Sequence, residues 1–141
     1  MCAAKVSSIV AAVCVAAVIS AWGQQPAAAP AATRVAITPA MIARGDSIFH
    51  GQLAGGLCFG CHGMDGKGVP GVAPDLTGGK WLHGDGSYGA IMTTVELGVP
   101  KPKQVVTPMP PMGGAQLGPA DIRAVAAYVY SLTHPAKPAG R

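Results

Sequence analysis

The chain has 141 residues, of which 50% are hydrophobic, only 5% are aromatic and 11% are charged. This charged fraction lies far below the roughly 25% usual for soluble proteins, and glycine (20) and proline (13) are abundant. Such a length and composition exclude a multidomain machine, a polytopic membrane protein and a long coiled coil. The net charge is +4, but no basic cluster is interleaved with aromatic residues, so nucleic-acid binding is not expected.

The N-terminus carries an apolar segment of the kind found in secretory signals. Residues 6–21 contain no charge, follow Lys5 and lead into the small-x-small pattern Ala21-Trp22-Gly23. The apolar run is shorter than the about 20 residues that a membrane span needs. We therefore interpret residues 1–23 as a signal peptide. An uncleaved anchor is the alternative, because no charge occurs again before Arg34.

The segment after the signal is rich in proline and alanine and predicts a semi-rigid linker over residues 24–36. A single domain is predicted over residues 37–134, followed by a flexible tail over 135–141. Export through such a signal would place the protein in the periplasm. Retention of the anchor would instead tether it to the outer face of the inner membrane.

A first helix is predicted where the domain begins. Thr38 suits the N-cap and Pro39 suits the first helical position. Apolar residues then recur with helical spacing as far as about His50, namely Met41, Ile42, Ile48 and Phe49. Gly45 has no side chain, so another helix could cross closely at this position.

Only two cysteines remain beyond the signal, and they form the motif Cys58-Phe59-Gly60-Cys61-His62. Cys-x-x-Cys-His is the attachment signal for haem c. Two thiols can add to the two vinyl groups of one haem, and one helical turn brings the adjacent histidine to the same side to bind iron. The sequence therefore predicts one covalent haem c, attached through Cys58 and Cys61, with His62 as an iron ligand.

Two other uses of a Cys-x-x-Cys pair are disfavoured. A thioredoxin-like redox pair lies within a βαβ pattern, and no strand pattern flanks this motif. A structural zinc site needs four ligands, and the chain contains no second paired motif to complete one.

Two more helices are predicted after the motif, one over about 87–97 and one opening at Pro119 and Asp121. Apolar residues of the last helix follow helical spacing: Ile122, Val125, Val129 and Leu132. Residues 63–80 and 98–118 are predicted as loops, and no strand is expected. Long loops are unusual in a compact domain, but here they could wrap a flat apolar group that supplies the missing core.

The stretch from about Thr38 to Leu132 resembles a small single-haem cytochrome c of class I. It is most similar to the bacterial domains that serve terminal oxidases and periplasmic dehydrogenases. The resemblance is carried by features spaced along this stretch: Gly45-x-x-x-Phe49, Cys58 to Gly63, Gly66-x-Gly68, Ala73-Pro74-Asp75-Leu76, Met109-Pro110-Pro111 and Tyr128. It implies an all-α class I cytochrome c fold. In that fold the N- and C-terminal helices cross near Gly45, with Phe49 and Tyr128 in the contact, and loops wrap the haem.

The resemblance also implies a sixth iron ligand. Met109 precedes two prolines that stiffen the backbone, as in the family's Met-Pro ligand loop. The alternatives are Met112 and His83. Met64 is too close to His62 along the chain to reach the opposite face, and Met92 is expected in the core.

Three further haem-contacting residues follow by analogy with the family. The carbonyl of Pro74 would accept the second ring N–H of His62. Leu76 would pack on the haem face, and the indole N–H of Trp81 could donate to a propionate. An ordinary core position is the alternative for Trp81.

A closed His/Met site leaves no iron position for a substrate, so the expected function is electron transfer, not enzymatic catalysis. The expected partners are an oxidase, a dehydrogenase or a membrane cytochrome complex, and the protein could be the haem subunit of such a complex. Several lysines could steer an acidic partner or only solubilise the surface: Lys67, Lys80, Lys101 and Lys103. The alternative function is a haem enzyme or small-ligand sensor with an open or displaceable sixth ligand.

Overall fold

The computed structural model describes residues 36–135, which fold into four α-helices and one short 3-10 helix. The α-helices are α1 (Pro39–Phe49), α2 (Phe59–His62), α3 (Tyr88–Leu97) and α4 (Pro119–Thr133), and the 3-10 helix spans Pro111–Gly114. No strand occurs within 36–135, although two isolated antiparallel bridges join Val69 to Ala73 and Val99 to Met109. This architecture matches the all-α class predicted from the sequence.

Helix α1 starts as its sequence predicts. The Thr38 hydroxyl accepts the Met41 N–H at 3.2 Å, and Pro39 takes the first helical position, where no N–H is needed. The helix ends at Phe49, one residue before the predicted His50. His50 is instead the C-cap, and its N–H donates to the Asp46 carbonyl at 3.0 Å.

The crossing of α1 and α4 positions the rest of the domain. Gly45 is buried, and a methyl group there would overlap the Ala124 carbonyl and lie 2.8 Å from the Tyr128 Cβ. The rings of Phe49 and Tyr128 lie 5.1 Å apart at the same crossing. The predicted crossing at Gly45, with Phe49 and Tyr128 in contact, is therefore confirmed.

Helix α3 packs on α4 and supplies two buried side chains, Ile91 and Val95. The helix begins at Tyr88, since Ser87 is its N-cap and accepts the Ala90 N–H at 3.3 Å. The predicted start at 87 was therefore one residue early. The Tyr88 hydroxyl donates to the Arg123 carbonyl of α4 at 3.0 Å, which ties the two helices together.

The buried core is built from small aliphatic residues. Its largest fully buried side chains are Phe49, Ile48 and Val125. Between α3 and α4 the chain was predicted to be loop throughout, but Pro111–Gly114 forms a 3-10 helix that packs against α3. The helices and loops thus enclose a limited core and leave a large apolar cavity beside it.

Several predicted segments lie outside the described residues. They are the signal (1–23), the linker (24–36) apart from its last residue, and the tail (135–141) apart from its first. Within residues 36–135, no helix is both long enough and apolar enough to cross a membrane.

Candidate functional site

One apolar cavity gathers the residues predicted to bind the haem. Helices α3 and α4 contribute part of its wall, including Ile91, Val95, Val125 and Val129. The seven predicted site residues all line it: Cys58, Cys61, His62, Pro74, Leu76, Trp81 and Met109. A planar apolar cofactor therefore fits the chemistry of this site.

Helix α2 holds the Cys-x-x-Cys-His motif on a single turn. The His62 N–H donates to the Cys58 carbonyl at 2.9 Å, which brings the first cysteine and the histidine together. The loop after α2 folds back on it, because the Gly68 N–H donates to the His62 carbonyl at 2.7 Å. This return brings Pro74 next to the histidine ring.

The His62 ring is held in one tautomer. Its Nδ1 lies 3.2 Å from the Pro74 carbonyl, and a carbonyl can only accept, so Nδ1 carries the proton. Burial holds the pKa of His62 below its ordinary value, although the bond to Pro74 opposes that shift. The ring is therefore neutral at pH 7, and Nε2 has a lone pair available for a metal.

The two thiols of the motif differ in their surroundings. Cys58 is partly buried, and that burial raises the pKa of its thiol. Cys61 is exposed. Within residues 36–135, no three His, Cys, Asp or Glu side chains cluster as a metal site made of protein ligands alone.

Met109 lies on a loop that is fixed by its backbone. Its N–H donates to the Val99 carbonyl at 3.1 Å, and its carbonyl accepts the Val99 N–H at 2.8 Å. The side chain lines the cavity and is partly buried. Sequence reasoning missed Val99, because a single bridge between two loop ends leaves no periodic signal.

The other predicted ligand candidates occupy distinct positions. Met112 also lines the cavity, with a left-handed backbone at φ 55°. His83 lines it too, and its Nε2 accepts the Lys103 N–H at 3.3 Å. The Met64 side chain is 63% exposed, whereas Met92 packs against the core as expected.

Trp81 and Leu76 both line the cavity and pack against the hydrophobic core. The Leu76 N–H donates to the Gly66 carbonyl at 2.8 Å, which closes the loop after α2. The Trp81 indole lies directly against Gly86, where a side chain would overlap it. Both the cofactor role and the core role considered for Trp81 are compatible with this position.

Basic and acidic groups share the rim of the cavity. Lys80 and Lys103 are exposed and line it, as does the exposed Asp75. Hydrogen bonds from Thr77 lower the pKa of the Asp75 carboxyl, so it is ionised at pH 7. The other two predicted lysines, Lys67 and Lys101, are exposed as well.

The sequence model of the family described as "Cytochrome c" matches residues 42–133. Among curated proteins, the chain is 37% identical over 102 residues to the cbb3-type cytochrome c oxidase subunit CcoP of Rubrivivax gelatinosus, covering 72% of this chain and 29% of that subunit. The same subunit of Rhodobacter capsulatus is 42% identical over 80 residues, covering 53% and 25% respectively. The chain thus spans between a quarter and a third of the length of these relatives.

Solved structures share the fold. A chain of the Kuenenia stuttgartiensis reducing HAO-like protein complex matches with a TM-score of 0.52 and 22% identity, over 70% of this chain and 46% of that one. Cytochrome cL from Methylophaga aminisulfidivorans matches with a TM-score of 0.52 and 21% identity, over 67% and 55%. These structural matches agree with an all-α class I fold.

Proposed function

Because this chain belongs to the cytochrome c family, we propose that it transfers single electrons through a haem c whose iron is bound by His62 and Met109. Members of the family carry haem c covalently, and Cys58 and Cys61 stand in the spacing that this attachment uses. When bound, the haem supplies a one-electron couple between ferrous and ferric iron. The supporting observation is that the four residues line one apolar cavity.

The protein itself sets the geometry on the His62 side of the cavity. The Pro74 carbonyl keeps the proton on Nδ1 of His62 and leaves Nε2 for iron. Cys58 and Cys61 line the same cavity and would hold the haem covalently beside this ring. A fixed ring orientation and a preset tautomer would keep Nε2 of His62 available to the iron in one position.

The distal side would be closed by Met109. A thioether is a soft ligand that favours ferrous iron, so this ligand raises the reduction potential. Apolar residues such as Val99 and Val105 line the same cavity and would exclude water from a haem bound there. With His62 and Met109 both bound to the iron, no position would be left for a substrate. This supports an electron carrier over an enzyme.

The partners are proposed to be other redox proteins. The curated relatives are subunits of a cbb3-type oxidase, and this chain matches only part of them. Lys80 and Lys103, at the rim of the cavity, would steer an acidic docking surface toward the haem edge. We propose a periplasmic location, with residues 1–23 either removed as a signal or kept as an anchor.

The Met109→Ala variant tests this function. We expect the ferric holoprotein to show a methionine–iron charge-transfer band that the variant loses, and the reduced variant to bind carbon monoxide, unlike the wild type. The reduction potential should fall, because the thioether no longer stabilises ferrous iron. Met64→Ala is the matched control, since this methionine is exposed and should leave the spectrum unchanged.

Two outcomes would contradict the proposal. A band that persists in Met109→Ala would point to another ligand, with Met112 and His83 as the residues to change next. Rapid carbon monoxide binding by the wild type would indicate an open site. It would favour the alternative function, a haem enzyme or a small-ligand sensor.

A further inference from the structure

The residues that directly follow α3 contact the Met109 loop through their backbone. Val99 and Met109 exchange two hydrogen bonds, of 2.8 and 3.1 Å, as an isolated antiparallel pair. The N–H and the carbonyl of Met109 therefore both bond to Val99. A backbone held in this way restricts where its side chain can reach.

Gly98 brings the two segments into direct contact. It is the C-cap of α3 with φ +68°, and its N–H donates to the Thr94 carbonyl at 2.9 Å. A methyl group at this position would overlap the Met109 carbonyl and lie 2.7 Å from the Pro110 carbonyl carbon and the Pro111 nitrogen. The backbone angle and the available space thus both require glycine here.

Gly98 caps a helix that is packed in the core. Ile91 and Val95 of α3 are buried in the core, and α3 packs against both α4 and the 3-10 helix that follows Met109. Pro110 and Pro111 restrict the backbone on the other side of the methionine. The loop is therefore held between a core helix and two prolines.

We propose that Gly98 and Val99 are positioning residues for the sixth ligand: they seat the Met109 backbone on α3 so that its thioether reaches the iron. This inference rests on Met109 being the ligand, as proposed above. A thioether is a weak ligand that hydroxide, a lysine or carbon monoxide can displace. The pairing of the loop with α3 raises the fraction of molecules in which the methionine is bound.

The test is Gly98→Ala in the holoprotein, read by the methionine–iron charge-transfer band as a function of pH. Overlap with the loop should favour the displaced form by roughly tenfold. The pH at which half of the band is lost should then fall by about one unit, since tenfold corresponds to one unit of a titration. Carbon monoxide should also bind the reduced variant faster than the wild type.

Two glycine-to-alanine controls separate this effect from others. Gly89 lies in the same helix, and a methyl group there would have no heavy atom within 4 Å beyond its chain neighbours and the backbone of that helix. Gly55 has nearly the same backbone angle, φ +66°, with open space around it, so Gly55→Ala adds the strain without the overlap. Both controls should keep the wild-type pH midpoint of the band.

The outcomes separate this inference from the proposed function. If Met109→Ala loses the band while Gly98→Ala titrates as Gly55→Ala does, the ligand stands and the positioning role is wrong. If Met109→Ala keeps the band, both are wrong. Should Gly98→Ala not fold, amide exchange in the wild-type ferrous holoprotein decides the matter. The Val99 and Met109 N–H groups should exchange slowly, and rapid exchange at both would overturn the inference.

Discussion

At the scale of single residues, two histidines behave differently because their acceptors differ. His62 has one carbonyl partner and is partly buried, so it stays neutral and can bind a metal. His50 has acceptors at both ring nitrogens. Its Nδ1 lies 2.9 Å from the Asp46 carbonyl and carboxylate, and its Nε2 lies 2.8 Å from the Met64 carbonyl. Only the protonated ring can donate to both sides.

His50 therefore predicts a pH dependence of stability. The Met64 carbonyl, with help from Asp46, raises the pKa of His50 above its ordinary value, despite partial burial. Tyr128 is the other titratable group against the ring, and it stays neutral near pH 7 because burial raises its pKa further. The stabilisation that charged His50 gives the folded state is complete below the pKa of histidine in the unfolded chain, about 6.5. It is lost as the pH rises through the higher pKa of His50 in the folded protein.

The comparison that checks this prediction is wild type against His50→Gln, by denaturant unfolding between about pH 5 and 8. Glutamine keeps one amide donor but does not titrate. The difference in unfolding free energy between the two proteins should shrink as the pH rises. A difference that is constant, or that grows with pH, would show that His50 is not charged in the folded state.

At the scale of elements, the α1–α4 crossing depends on the absence of a side chain at Gly45. An ion pair beside it joins the same helices, since the Arg44 Nη2 lies 2.6 Å from the Asp121 Oδ1. Because Arg44 is half exposed, this pair contributes less than the close backbone contact does. The close backbone contact at Gly45 therefore determines the crossing more than the ion pair does.

Gly45→Ala should push α1 away from Ala124 and lower the free energy of unfolding by roughly 1–3 kcal/mol or more. The measurement is the denaturant midpoint of the holoprotein, followed by the haem absorbance and by circular dichroism. Gly89→Ala is the control, because it adds the same methyl group at a helical position with no atom from outside that helix within 4 Å. Equal midpoints for the two variants would contradict a close-packed crossing.

The helix boundaries show which local sequence features predict structure correctly. The start of α1 at Pro39 and the start of α4 at Pro119 were predictable, because proline and the preceding residues act locally. The predicted end of α1 and the predicted start of α3 each missed by one residue, as capping residues are easily counted as helical. The 3-10 helix at Pro111–Gly114 was missed, since it depends on left-handed backbone at Met112 and Gly113 and on contact with α3.

At the scale of the whole molecule, the protein core is small for the number of residues around it. Within residues 36–135, four of the twelve buried hydrophobic residues are alanines, and the largest fully buried side chains are Phe49, Ile48 and Val125. The apolar cavity beside this core is lined from α3, α4 and the loops. Filling it with a haem removes that lining from water and completes the core.

The haem-free chain should therefore not keep the fold. Replacing Cys58 and Cys61 by serine prevents covalent attachment, and we expect the haem-free product to lose most of its helical circular dichroism and its cooperative unfolding. The wild-type holoprotein, prepared in parallel, is the reference. A double variant that stays helical and unfolds cooperatively without haem would show that the protein core suffices alone.

The sequence alone determined the cofactor and the class of fold. The Cys58–His62 motif places three reactive groups within one helical turn, and the apolar spacing of α1 and α4 is a local, periodic signal. Only the tertiary structure decided how Gly98 and Val99 contact Met109. It also decided that the His50 ring bonds the Met64 carbonyl. The bond from the Lys103 N–H to the His83 ring is of the same kind. These contacts join residues about 10 to 20 positions apart along the chain, and no periodic pattern links the two sides of any of them. Their geometry exists only once the helices have packed and both backbones occupy the same space.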